Sequence, residues 1–210
     1  GIPLEYFYEH LDEDVKNSLD NVLKLLIANK ASIEIIELPS LNEITEHKKT
    51  ILRTEAYANN RENFERYPSL FGKEVSERLL TGIDIKGYEY ALALRRQPKL
   101  IKQINKLFET VDVLITPTVP ILPPGIKERR LLNDEGHIRW TILKNTSPFN
   151  YLGLPAISIP CGQSQTGMPI GLQIISRSNN EKVIYEVALA IENMLNLNTT
   201  KWDIGDLMVK

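Results

Sequence analysis

The stretch Asn145–Ile175, NTSPFNYLGLPAISIPCGQSQTGMPIGLQII, carries a helix stop, two apolar runs and an intervening turn, and its reading decides the fold. Gly153 follows a segment with helical spacing, and Pro155 stands two residues further on. Glycine enters the left-handed region without a Cβ clash and proline cannot continue the hydrogen-bond ladder, so the pair marks a helix C-terminus. Ala156 to Pro160 is small and apolar, as a strand buried on both faces would be, and Ile170 to Ile175 repeats the pattern. The loop between them, Cys161 to Pro169, is long enough for a hairpin and has glycines at 162 and 167 for positive φ. The expected order is helix, strand, turn, strand.

Working outward, Val111 to Thr116 reads as a buried strand ended by Pro117, and Gly1 to Pro3 as the tail of another. Val15, Leu19, Val22, Leu23, Leu26 and Ile27 recur at helical spacing after Asp12, a candidate N-cap, predicting a helix to about Lys30. Ile33, Ile35 and Ile36 form a short β-rich run before Pro39. Ser40 and Glu43 fit a capping box at the start of a helix to about Phe64, whose charged residues read as a solvated face. A shorter helix is expected over Lys73 to Leu80. Another follows, capped by Asp84, with Tyr88, Ala91, Leu92, Arg95, Leu100, Ile101, Ile104, Leu107 and Phe108 along one face and a kink at Pro98. Asn180 to Met194 reads as a closing helix whose Val183, Ile184, Val187, Ala188 and Ile191 face the core. The proline-rich segment from Pro117 to about Gly136, with Lys127, Arg129 and Arg130, reads as a surface loop, either a lid over a pocket or a plain connection.

Composition narrows the function. The 210 residues are 42% hydrophobic and 25% charged, enough for one substantial core and a single unit over 1–210. The net charge of -2 gives no general pull toward nucleic acid or anionic membranes. One cysteine and three histidines, widely spaced in sequence, argue against a disulfide framework or a structural zinc site, and a reducing cytoplasm is the natural reading. Cys161 lacks a nearby histidine to activate it and reads as a small core residue. Gly162, Gly167 and Gly171 are turn and packing glycines, since no phosphate-binding lysine and helix follow them.

The string Thr146-x-Pro148-Phe149-Asn150-x-x-Gly153-Leu154-Pro155-Ala156-Ile157-Ser158-Ile159-Pro160-Cys161-Gly162, followed by Gly167-x-Pro169-x-Gly171-Leu172-Gln173, resembles the C-terminal block of the amidase signature family. Asp112 to Thr118 resembles the strand before that block, and Gly1-Ile2-Pro3 with Tyr6-Phe7-Tyr8 resembles the start of the family's C-terminal half. The resemblance implies an α/β fold, a mixed sheet flanked by helices, and chemistry in which a serine is acylated by an amide and then hydrolysed, without metal or organic cofactor. It also implies that the Ser-Ser-Lys triad lies in an N-terminal half. None of the serines here has the glycine-rich setting that a serine nucleophile and its oxyanion need.

That N-terminal half, in the same natural chain or a separate one, is therefore the expected partner, together with a small amide substrate. An unpaired sheet edge and a bare face would also invite self-association. The resemblance places Thr146, Pro148, Phe149 and Asn150 by the pocket, where lining and scaffolding are both open to them. Arg78 is similar to the arginine with which the family's tRNA-dependent amidotransferase branch holds the carboxylate of glutamine, a task suited to its planar fork; pairing with Glu74 is the alternative. Where that branch carries an acidic residue for the amino group, this chain has Leu143 and Lys144, which points to another amide. The competing readings are a non-catalytic binding module and an amidotransferase component acting on charged tRNA.

Overall fold

A computed structural model describes residues 1–125 and 140–196. Three strands, β1 (Leu114–Pro117), β2 (Ala156–Gln163) and β3 (Pro169–Ile175), form an antiparallel sheet in the order β1-β3-β2. Leu114 lies opposite Ile175 on one side of β3, and Ala156 opposite the same residue on the other. The chain start extends the sheet. The Ile115 amide donates to the Gly1 carbonyl, and Ile2 bridges Ile35 in parallel. The assembly is α/β, as expected, with an antiparallel sheet flanked by helices; the parallel pairing among the described residues is the single Ile2–Ile35 bridge, and Ile33–Ile36 forms no full strand.

Helices cover both faces, and strand alternation assigns side chains to each. On one face Ile115, Ile159, Cys161, Ile170, Leu172 and Ile174 meet α2 (Glu13–Ala28) and α7 (Glu181–Leu195). The 4-3-4 spacing of Val15, Leu19, Val22 and Leu26 builds the α2 stripe; Ile27 falls outside it and is exposed. On the other face Leu114 and Ile175 meet Phe7 from the short turn α1 (Leu4–Phe7), Ile44 from α3 (Leu41–Arg66), Leu100 and Ile104 from α5 (Gly87–Asn105), and Phe149 and Leu152 from α6 (Ser147–Leu152). Between α3 and α5 lies α4 (Lys73–Leu80).

Several local expectations are corrected. The run Ala156 to Pro160 is buried on one face only. Ile159 is buried while Ala156, Ser158 and Pro160 are exposed, because β2 pairs with β3 alone and nothing in the described chain covers its other face. The strand also continues past a bulge at Cys161 to Gln163, so the turn is shorter than Cys161 to Pro169. Ser40 takes a left-handed conformation (φ 60°) and makes no side-chain cap; Glu43 is drawn away to Arg96. Asp12 does precede α2, but its carboxylate accepts from the Leu122 amide at 2.6 Å and so ties the helix start to the segment after β1.

α5 begins at Gly87, where the Lys86 amide donates to Glu89, and not at Asp84. It passes through Pro98, and its first half buries Ala93 instead of the expected Tyr88, Ala91, Leu92 and Arg95, which are exposed. The cluster Lys127 to Arg130, and with it the lid expectation, lies outside the described residues.

Candidate functional site

The segment 140–155 crosses the helix-covered face of the sheet and positions the candidate residues. Phe149, fully buried, stacks on Phe7 with ring centroids 5.2 Å apart, and Pro148 is buried beside it. The stack fixes α6 against the chain start. Gly153 then ends α6 at φ 62°, with its amide on the Asn150 carbonyl and the Leu154 amide on the Phe149 carbonyl. A Cβ would be strained there, which is why glycine stands before Pro155. Thr146 is half-buried at the helix start, and Asn150 is exposed one turn later. Their backbones share the bond from the Asn150 amide to the Thr146 carbonyl at 3.2 Å.

Just before them lies a buried polar network. Asn145 donates from Nδ2 to the Pro117 carbonyl at 2.8 Å and the Phe7 carbonyl at 3.4 Å, while its own carbonyl accepts from Gln173 Nε2 at 3.2 Å. Gln173 also donates to Thr116 Oγ1 at 2.9 Å. Asn145 Oδ1 is buried with no hydrogen-bond partner among the described residues. The network marks where the helical cover ends. Beyond it the sheet carries the exposed hydroxyl pair Thr118 and Ser158, 2.7 Å apart, packed over Gly171. The sequence reading missed Asn145 and Thr116; for Thr116 a polar residue inside an apolar run was the available signal, whereas Asn145 stands among polar neighbours and offered none.

A cleft of about 240 Å³ opens at the other end of the segment. Lys48 and Lys49 of α3 and Lys144 line it together with Trp140 and Tyr6. Thr45, Thr141 and Ser147 complete its wall. The Lys48 and Lys49 ammonium groups stand 5.4 and 5.7 Å from the centre of the Trp140 ring, and Lys144 Nζ stands 4.6 Å from that of Tyr6. Burial pushes the Lys48 and Lys144 pKa values down from the usual lysine range. Desolvation disfavours the charged form, and for Lys48 the neighbouring Lys49 adds to the effect.

Arg78 lies apart from α6, on α4. Its guanidinium stands 3.7 Å from Glu74 Oε1, and its Nε donates to the Glu74 carbonyl at 3.1 Å. Cys161 is buried, and burial pushes its thiol up to about 12, far from a reactive thiolate. Among the described residues no group of three or more His, Cys, Asp or Glu is arranged to hold a metal, and no helix is long and apolar enough to cross a membrane.

The family model described as Amidase matches residues 1–184, which is most of the chain. The chain belongs to the amidase family. It is 34% identical to the A subunit of glutamyl-tRNA(Gln) amidotransferase from Natranaerobius thermophilus, over 94% of this chain and 44% of that protein. Against the corresponding protein of Staphylococcus haemolyticus the identity is 30%, over 94% and 45%. A crystal structure of an amidase superposes with a TM-score of 0.78 at 26% identity, covering 93% of this chain and 44% of that one. The glutamyl-tRNA(Gln) amidotransferase A subunit from Thermotoga maritima gives 0.66 at 27%, covering 91% and 41%. The amidase chain thus spans less than half the length of the curated relatives it matches.

Proposed function

We propose that this chain is the C-terminal part of an amidase that hydrolyses carboxylic amide C–N bonds, with the serine nucleophile and its lysine base supplied by an N-terminal half. The observation that carries the reading is the sheet face around Ser158. There the described chain presents polar and small groups, an unpaired strand edge and no covering layer, beside a buried Asn145–Gln173–Thr116 network that holds its floor rigid. A second half laid on that face would complete the sheet and bring its nucleophile to a preorganised wall.

In this reading Thr146 and Asn150 contact substrate, and Pro148 and Phe149 hold them in place through the Phe7 stack. Arg78, exchanging Glu74 for a substrate carboxylate, is the most peripheral contact. The amide belongs to a small molecule, and the lysines near Leu143 disfavour a ligand ammonium there, which separates this chain from a glutamine-dependent role. No membrane or nucleic-acid partner is invoked.

The test is ammonia release from simple carboxylic amides by the purified chain, alone and co-expressed with the N-terminal part of a relative. The chain alone should be inactive. The complemented protein should release ammonia, and serine-directed inhibitors should abolish that activity. Ammonia release by the chain alone, resistant to those inhibitors and lost on truncation, would overturn the reading.

A further inference from the structure

Among the described residues, the lysine cleft gathers three ammonium groups and has no carboxylate in its lining. Of its three lysines Lys49 forms an ion pair among the described residues, with Glu46 at 2.8 Å on the outer side of α3. Lys48 faces the Trp140 ring, and Lys144 faces the Tyr6 ring and donates to the Glu9 carbonyl at 3.4 Å. Glu46 acts on Lys48 and Glu9 on Lys144 through space, in each case less than burial does. Among the described residues, Lys48 and Lys144 thus face aromatic rings with no carboxylate in an ion pair to either. A π face holds a cation less strongly than a hydrogen-bonded anion in the same place would. The lysines are also not simply splayed into solvent. Thr45, Lys48 and Lys49 occupy neighbouring positions three and four apart on one side of α3, and Lys144 faces them from the opposite wall. The Trp140 ring between them is 39% exposed and offers a flat apolar surface next to the charge.

We propose that this cleft binds a small organic oxyanion, a carboxylate or phosphate on a single flat ring, with the anion held by Lys48, Lys49 and Lys144 and the ring stacked on Trp140. The cavity is smaller than the roughly 300–1,000 Å³ of sites for drug-sized ligands, which limits the occupant to about one ring and its charged group. Lysine suits an anion without fixed bidentate geometry, because its donors rotate about a point charge. The inference stands independently of amide hydrolysis and would hold for a chain with no catalytic role.

The experiment reads Trp140 fluorescence in the Trp202→Phe background, which leaves one tryptophan. Benzoate, phenyl phosphate and the neutral analogue benzamide are titrated at constant ionic strength set with chloride. Benzoate or phenyl phosphate should give a saturable change, and whichever binds more tightly identifies the anion class. Benzamide should bind at least about tenfold more weakly. Lys48→Met and Lys144→Met should each weaken anion binding by about tenfold, while Lys48→Arg keeps most of it and shows by unchanged circular dichroism that α3 is intact. Equal binding of benzamide, the absence of any saturable response, or full anion affinity in both methionine variants would overturn the proposal.

Discussion

The two ends of α5 sit in opposite environments although their sequences look alike. Leu100 is 1% exposed, closed in among Ile44, Ile104 and Leu152, whereas Leu92, just over two turns earlier, is 41% exposed. The contrast extends to whole regions. Around the sheet, β3 and the stripes of α2 and α7 that face it are buried, and Ile27, Tyr185 and Leu189 on those helices are exposed outside the stripes. In the arm formed by α3, α4 and the first half of α5, Leu52, Leu70, Leu80, Ile83, Tyr88 and Leu94 are all exposed. α3 is the extreme case, 26 residues with Ile44 as its one buried side chain, braced by surface pairs such as Arg61 with Glu65 at 2.8 Å. A helix this polar takes its place from its neighbours more than from a stripe of its own. The sheet region is thus a closed core except at the bare face of β2 around Ser158. The arm is a scaffold whose apolar residues await cover, as the proposed second half would provide.

The largest test of that contrast is Leu100→Ala. Emptying a closed site removes transfer free energy and leaves a cavity, so the variant should lose about 2–5 kcal/mol in a urea melt with unchanged slope. A loss below about 1 kcal/mol would place α5 in a looser layer than its burial indicates.

Gly82→Ala asks whether the arm has any tight contact of its own. A Cβ at Gly82 would run into the Arg53 carbonyl and lie 2.8 Å from Tyr57 Cβ. Backbone cannot swing aside as a side chain can, so α4 must back away from α3, at a cost of about 1–3 kcal/mol. Hydrogen exchange should show the loss confined to α3 and α4. Uniform loss across the sheet would mean that arm and core unfold together.

A smaller effect, set by pH, comes from the link between arm and core. The Glu43 carboxylate accepts from Arg96 Nε at 2.5 Å and lies 3.3 Å from His47 Nε2, joining α3 to α5. The hydrogen bond from Arg96 lowers the Glu43 pKa, and His47 adds to it. Because the folded pKa lies below the unfolded one, the stabilisation is complete above about pH 4.3 and is lost as pH falls through the folded value. Glu43→Gln should therefore be less stable than the parent at pH 6, and the gap should close toward pH 3. Both partners are partly exposed, so the effect should be smaller than either packing change. A gap independent of pH would assign the contact to shape and not to charge.

Most elements of the fold were legible in the sequence, the division between core and arm was not, and the failures have a common cause. Periodicity located α2 and α7, and Gly153 with Pro155 located the end of α6, because these signals act within a few turns of chain. Periodicity could not tell which apolar residues find a partner. Tyr88 and Leu92 look like core, and Ala156 to Pro160 looks like a central strand, but burial is decided by layers remote in sequence. The Ser40 cap failed for the same reason: Arg96, 53 residues from Glu43, outbid a bond three residues away. At the candidate site the motif pointed to Thr146–Asn150, while Asn145, Thr116 and the three lysines came together only through the fold.

Leu92→Ala is the smallest expected effect and the most direct test of the contrast, since it makes the same chemical change as Leu100→Ala on the same helix. At 41% exposure the side chain has already kept much of its contact with water, so little burial is lost. Alanine also has the higher helix propensity, which offsets part of that loss. The midpoint should move by no more than about 0.5 kcal/mol. A cost above about 1.5 kcal/mol would mean that the chain buries Leu92 in solution, by self-association or by closing the arm. Repeating the melt at tenfold lower protein concentration separates these, because self-association alone makes the midpoint depend on concentration.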